Sequence, residues 1–194
     1  MSRESTKAMT RRLAGEERKY WHLVFHGRGI DVGCGDDPIT PFAPDCRTFD
    51  RDDGDANVLS SYFPRDHFDF VHASHVLEHM HDPRAALRDW LRVTKPGGRV
   101  VVLVPDWVAY EGMVWPSRWN SDHKSSWSMI YRGGAPQHIH IPSYLAEFHA
   151  VAEVELCRFV DTNYDYAIGT TIDQTLPSEK AVECWNEFVL RKIK

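Results

Sequence analysis

No apolar run in this chain approaches the roughly 20 residues that would cross a bilayer, so no membrane span is expected. The N-terminus is charged and lacks the apolar stretch of a signal peptide, which points to a cytoplasmic location. Cysteine is sparse: Cys34, Cys46, Cys157 and Cys184 are scattered, form no C-x-x-C pair and read as reduced thiols. Positive charge is also short, with 23 Lys and Arg against 28 Asp and Glu and a net charge of −5. That balance argues against nucleic-acid binding, which leaves a basic footprint. One local exception is the N-terminal segment, where Arg3, Lys7, Arg11, Arg12, Arg18 and Lys19 cluster; a solvated helix face is expected there rather than a phosphate-facing arm. Repeats and low-complexity tracts are missing too, and 194 residues suit one domain, 1–194, around one core. The sequence leaves the oligomeric state open.

What is present alternates between strand and helix patterns. Residues 1–26 form an N-terminal helical segment, in which Met9, Leu13, Tyr20, Trp21, Leu23 and Val24 recur among charges. A short strand, Ile30–Val32, then runs into the tight turn Gly33-Cys34-Gly35. Pro38, Pro41 and Pro44 make a long helix after it untenable. Strands are expected at Cys46–Asp50 and Phe68–Ser74, and a helix at Pro83–Val93, with proline in its first turn and Ala86, Leu87, Trp90 and Leu91 at helical spacing. Val100–Val104 is a continuous apolar run of the kind buried on both faces of a parallel sheet. Residues 106–141 are a long polar and aromatic insertion, expected to act as a substrate or lid region. A short helix from Ile141 and strands near Val154–Val160 and Trp185–Leu190 complete a three-layer α/β fold.

Ligands of open parallel sheets bind beyond the carboxyl ends of the strands, where strand order switches. Gly33 and Gly35 lie at such an end, and Asp50 ends the next strand, where a carboxylate can accept both hydroxyls of a ribose. Asp55 follows in Asp53-Gly-Asp-Ala56, in position to meet an adenine amino group. A dinucleotide loop needs a third glycine and a helix facing the pyrophosphate. Here Gly35 is followed by Asp36-Asp37-Pro38 instead. Two carboxylates repel a pyrophosphate but suit the ammonium of an amino acid, so the ligand implied is S-adenosylmethionine rather than NAD.

Taken together, Ile30-Asp-Val-Gly-Cys-Gly35, Phe49-Asp50, Gly54-Asp-Ala56, the run Phe68–His79 and Leu91-Arg-Val-Thr-Lys-Pro-Gly-Gly98 resemble the class I S-adenosylmethionine-dependent methyltransferases, type 11 branch. The resemblance implies a Rossmann-like sheet of seven mostly parallel strands with the last antiparallel. It further implies that Asp31, Gly33, Cys34 and Gly35 line the methionine end of the cofactor. By the same resemblance Asp50, beside Arg51, binds the ribose, Asp55 and Ala56 bind the adenine, and Ser74 and His75 lie beside the sulfonium. Asp37 and the prolines after it depart from the family pattern.

Methyl transfer to a small molecule at an oxygen or nitrogen is the expected reaction, with His75 the candidate base. Asp106, Tyr110, Arg118, His123, His138 and His140 are the substrate candidates in the insertion; Arg118 and His123, with Lys124, suit an anionic acceptor. Two rival readings exist. His75-Val-Leu-Glu-His79 matches the H-x-x-E-H pattern of zinc hydrolases, with Glu147 or Glu153 as third ligand. Placing His75 at a strand end disfavours that reading, and no metal is expected. The altered loop after Gly35 alternatively suggests a non-catalytic S-adenosylmethionine-binding regulator.

Overall fold

A computed structural model describes residues 3–176 and 180–194. The central sheet contains β1 (Gly29–Val32), β2 (Cys46–Phe49), β3 (Phe68–Ser74), β4 (Thr94–Pro105), β7 (Ala152–Val160) and β8 (Trp185–Lys192). A separate parallel pair, β5 (Ser126–Ser128) and β6 (His138–His140), belongs to the insertion. Strand order in the main sheet is β2-β1-β3-β4-β8-β7. The first four strands are parallel, while β8 runs antiparallel to both of its neighbours.

Six strands form this sheet among the described residues, not seven. The reason is chain length. Residues 50–67 connect β2 to β3 through a turn and one short 3-10 segment, Ala56–Ser61. A further parallel strand would need its own crossover of a dozen or more residues on each side.

Helices α1 (Glu4–Ala14) and α2 (Arg18–Val24) cover one face; α3 (Pro83–Val93) and α4 (Ile141–Ala146) cover the other. The N-terminal segment is thus two helices, parted at Gly15-Glu16-Glu17. α3 forms where its local signals place it. Asp82 caps it by accepting from the amides of Arg84 at 2.9 Å and Ala85 at 3.0 Å, Pro83 opens it, and Ala86, Leu87, Trp90 and Leu91 are buried. Each large apolar side chain so buried stabilises by about 1.5–3 kcal/mol. Trp90 also positions the ligand end of the sheet, because its indole Nε1 donates to the Ala56 carbonyl at 2.8 Å.

The basic side chains of the first helix do not form a solvated face. Lys7 Nζ donates to the carbonyls of Thr175 and Val182, Arg11 pairs with Glu183, and Arg12 is buried against Glu187 at 2.7 Å. Arg11 and Arg158 also reach the Glu187 carboxylate. β8 carries that acid in its buried middle, so the helix must bring cations to it.

Candidate active site

Strand order reverses at β1, which has β2 on one side and β3 on the other. The carboxyl ends of these three strands carry Gly33, Asp50 and His75, and a cavity of about 340 Å³ opens there. Its wall includes Gly33, Phe49, Asp50, Arg51, Gly54, Asp55 and Ala56, together with His75, Val76, His79, Asp122 and Lys124.

The polar groups of this wall are held in place. Asp50 Oδ2 accepts the Gly35 amide at 2.6 Å and Oδ1 accepts the Arg51 amide at 2.7 Å. Each carboxylate oxygen has a second lone pair, so Asp50 retains two acceptor positions. Asp55 accepts from both the amide and the side chain of Asn57, which lowers its pKa, and its own amide donates to Tyr62 Oη at 3.0 Å. Gly33 is left-handed, with φ +65°, and a Cβ there would overlap the Val76 side chain.

His75 follows β3 directly and takes φ +56°, a conformation that turns the chain back over the sheet. Its amide donates to the Leu103 carbonyl at 3.0 Å, and its ring meets Trp185 edge-on at 5.3 Å. Nδ1 lies 3.5 Å from Glu78 Oε1, an electrostatic contact rather than a formed hydrogen bond. Burial would lower the His75 pKa, but the Glu78 and Glu4 carboxylates outweigh it and the pKa is raised. Glu78 responds in the opposite sense: burial raises its pKa, His75, His79 and His123 outweigh that, and the net shift is downward.

Other sequence candidates fall elsewhere. Asp31 is buried within the core, accepting the Ile39 amide at 2.8 Å and meeting His72 Nδ1 at 2.7 Å. Arg12 Nη1 lies 3.4 Å from His72 Nε2, and guanidinium can only donate, so the ring proton sits on Nδ1 and is given to Asp31. Asp37 accepts from the amide and hydroxyl of Thr6, so it anchors α1 and is not a free anion for an ammonium group. Cys34 is half-buried, its thiol pushed up to about 11 by burial and by Asp31. Ser74 ends β3 with its hydroxyl buried and without a hydrogen-bond partner among the described residues.

The insertion residues do not converge as a set. Asp106 is held by the amides of Val108 and Ala109 and by Asn186; burial raises its pKa despite them. It lines a separate, largely apolar cavity of about 490 Å³ with Met113, Ile130, Tyr131, Tyr164 and Tyr166. Arg118 is exposed, donates to the Thr170 carbonyl and stacks on Trp119. Tyr110 packs near His123, with ring centres 6.0 Å apart. His138 is fully used by Ser126 Oγ and the Tyr131 carbonyl, and His140 contacts Ser143 Oγ at 2.8 Å. Within that set His123 approaches the cavity wall, its ring 4.9 Å from that of His79. Glu147 and Glu153, the proposed third ligands of a zinc hydrolase, pair instead with Arg84 and Arg191.

Asn57, His79, Met80 and Asp122 line the cavity without having been expected there. His79 ends a quoted motif and Asn57 and Met80 directly follow quoted motifs, whereas Asp122 arrives through folding of the insertion and carries no local signal.

The sheet and the helices on its two faces are those of the class I methyltransferase fold. A methyltransferase domain model matches residues 6–150, and the chain belongs to that family; the type 11 resemblance is consistent with it. Among solved structures it is similar to an S-adenosylmethionine-dependent methyltransferase from Archaeoglobus fulgidus, at 18% identity and TM-score 0.59, with 98% of this chain and 94% of that one covered. A second such methyltransferase, from Mesorhizobium loti, aligns at 14% identity and TM-score 0.52 over 84% of this chain and 90% of that one. No curated protein is a significant match. The protein is a methyltransferase with S-adenosylmethionine as its cofactor. Among the described residues, no helix is long and apolar enough to cross a membrane.

Proposed function

We propose that this enzyme methylates an oxygen or nitrogen of a small molecule, and that the acceptor meets the cofactor beside His75. The observation that carries this reading is the convergence of Gly33, Asp50, Asp55 and His75 on one cavity from three separate chain segments. The donor set fits the cofactor. Asp50 offers two free acceptor positions for the ribose, Asp55 and Ala56 flank the adenine end, and the left-handed Gly33 leaves room for close backbone approach. Bound S-adenosylmethionine supplies an electrophilic methyl group, so the protein's task is chiefly alignment.

His75 suits proton acceptance from a hydroxyl, because it lines the same cavity and its ring is fixed by Trp185 on one side and Glu78 on the other. Residues 106–141 supply Asp122 and Lys124, paired at 3.3 Å, to the cavity wall, which gives that segment a place in holding the acceptor.

Calorimetry with S-adenosylmethionine and its demethylated product, followed by turnover on a panel of hydroxyl, amine and carboxylate metabolites, tests the proposal. His75→Asn is expected to cut kcat for a hydroxyl acceptor by about 10²–10⁴-fold. Cofactor affinity should remain near that of the wild type. Unchanged turnover in that variant removes His75 as the base.

A further inference from the structure

Glu78 is completely buried, yet neither oxygen of its carboxylate accepts a hydrogen bond. A buried anion without hydrogen bonds is costly, and His75 Nδ1, at 3.5 Å from Oε1, gives Glu78 an electrostatic contact but no hydrogen bond. Its surroundings show what would relieve it. The Glu78 carbonyl accepts the amides of Lys124 at 2.8 Å and Ser125 at 3.1 Å, and this tether draws the loop before β5 onto the turn after β3. It brings His123 into line with His79, their rings 4.9 Å apart. His79 Nε2 and His123 Nε2 each lie 3.9 Å from Glu78 Oε1, and the three ligand atoms all fall within 4.8 Å of one another.

The outer nitrogens of both rings are already assigned. His123 Nδ1 meets Glu111 Oε1 at 2.7 Å, and His79 Nδ1 meets Asp122 Oδ2 at 3.1 Å. A carboxylate takes the Nδ1 proton in each case, which leaves Nε2 as a lone pair facing Glu78. A carboxylate behind a ligating imidazole is the arrangement that fixes its tautomer and raises its basicity in metal sites.

We propose that Glu78, His79 and His123 form a binding site for a divalent transition metal, with zinc the best match to two imidazoles and one carboxylate. Bonds near 2.1 Å in a tetrahedral site place ligand atoms roughly 3.4 Å apart. The two Glu78–histidine separations of 3.9 Å therefore need a contraction of about half an ångström each, and the histidine pair, within 4.8 Å, one of at most about 1.4 Å, within the reach of side-chain rotation. The ligand set differs from that of the H-x-x-E-H reading: the glutamate is a ligand, and His123 from the insertion takes the place assigned there to His75. Of the three ligands, His79 lines the cofactor cavity and so joins the metal site to that space. A water or an oxygen of the acceptor completes the site. That last step alone rests on the methyl-transfer reading, and the metal site stands without it.

Full-length protein stripped with chelator, reloaded with zinc and desalted should retain about one equivalent by elemental analysis, and cobalt loading should give the visible absorption of a tetrahedral site. Glu78→Gln and His123→Ala are each expected to abolish retention, while the surface variant His149→Ala keeps it. Glu111→Gln, which removes only the outer carboxylate, should weaken zinc by about 10- to 100-fold. Equal retention by the wild type and a Glu78→Gln, His123→Ala double variant overturns the proposal, whatever the outcome of cofactor calorimetry.

Discussion

Removing the Asp50 carboxylate is the most direct challenge to the cofactor site, and its effect can be sized from the hydrogen bonds present. Two of the carboxylate's acceptor positions are taken by the amides of Gly35 and Arg51, leaving two for ribose hydroxyls. Hydrogen bonds to a charged group contribute about 1.5–3 kcal/mol each. Asp50 is only half-buried, so the low end applies. The expected loss for Asp50→Ala is about 2–3 kcal/mol, roughly 30- to 150-fold in Kd. Asp50→Asn keeps one acceptor oxygen and should lose roughly tenfold. The neighbouring exposed Asp52→Ala has no such role and should bind as the wild type does, which controls for net charge. The assay is calorimetry with the demethylated cofactor product, with circular dichroism to confirm the fold. If Asp50→Ala binds within about threefold of the wild type, less than 1 kcal/mol is lost and the ribose assignment fails.

Two further outcomes follow from the same geometry. Gly33→Ala must hold an alanine at φ +65°, costing about 1–2 kcal/mol besides its overlap with Val76. Thermal scans should show a loss of roughly 2–8 °C together with weaker cofactor binding, and an unchanged melting temperature would contradict the backbone argument. Glu187 concerns stability against pH. Burial alone would raise its pKa, but Arg12, Arg11 and Arg158 hold it down at about 2, against an ordinary value of 4.5. A depressed carboxylate contributes stability that is full above its unfolded value and lost as pH falls through its folded value. The contribution is about 3 kcal/mol, fading between roughly pH 4.5 and 2. Urea unfolding should therefore show the wild type losing its advantage over Glu187→Gln across that window, because protonation makes the two alike. A constant difference would refute it.

Much of the cofactor crevice was legible because its signals are local. Asp82-Pro83 and the spacing of Ala86, Leu87, Trp90 and Leu91 fix α3 within one short window, and Gly33-Cys34-Gly35 marks the end of β1 by backbone need alone. The environment of Glu78 was illegible for the opposite reason. Its histidine partner lies far along the chain, and the two meet only through the amides of Lys124 and Ser125. Read as a linear motif, His75-Val-Leu-Glu-His79 invites one helix with two ligating histidines; the left-handed turn at His75 and the 3-10 segment Leu77–His79 break that periodicity. Arg12 misled in the same way. A basic residue on an amphipathic helix reads as solvent-facing until a buried acid on a distant strand is known.

The departures from the family pattern after Gly35 and the buried network at α1 have one physical explanation. The prolines of residues 38–44 remove the helix that would normally follow the glycine loop and brace it from below. α1 occupies that role from outside the crossover. Thr6 ties it to Asp37, the residue standing where a third glycine is usual, and Arg12 ties it through His72 to Asp31 at the start of the loop. Asp31 and Asp37 therefore act on the loop from behind, and their carboxylates are spent on the scaffold instead of the ligand. Of the two acids that the sequence offered to a methionine ammonium, Asp37 is tied to Thr6, while Asp36 is exposed. On the proposed reading the backbone that Asp31 and Asp37 hold in position meets the cofactor, and Asp50, Asp55 and Asp122 are the carboxylates that line the cavity.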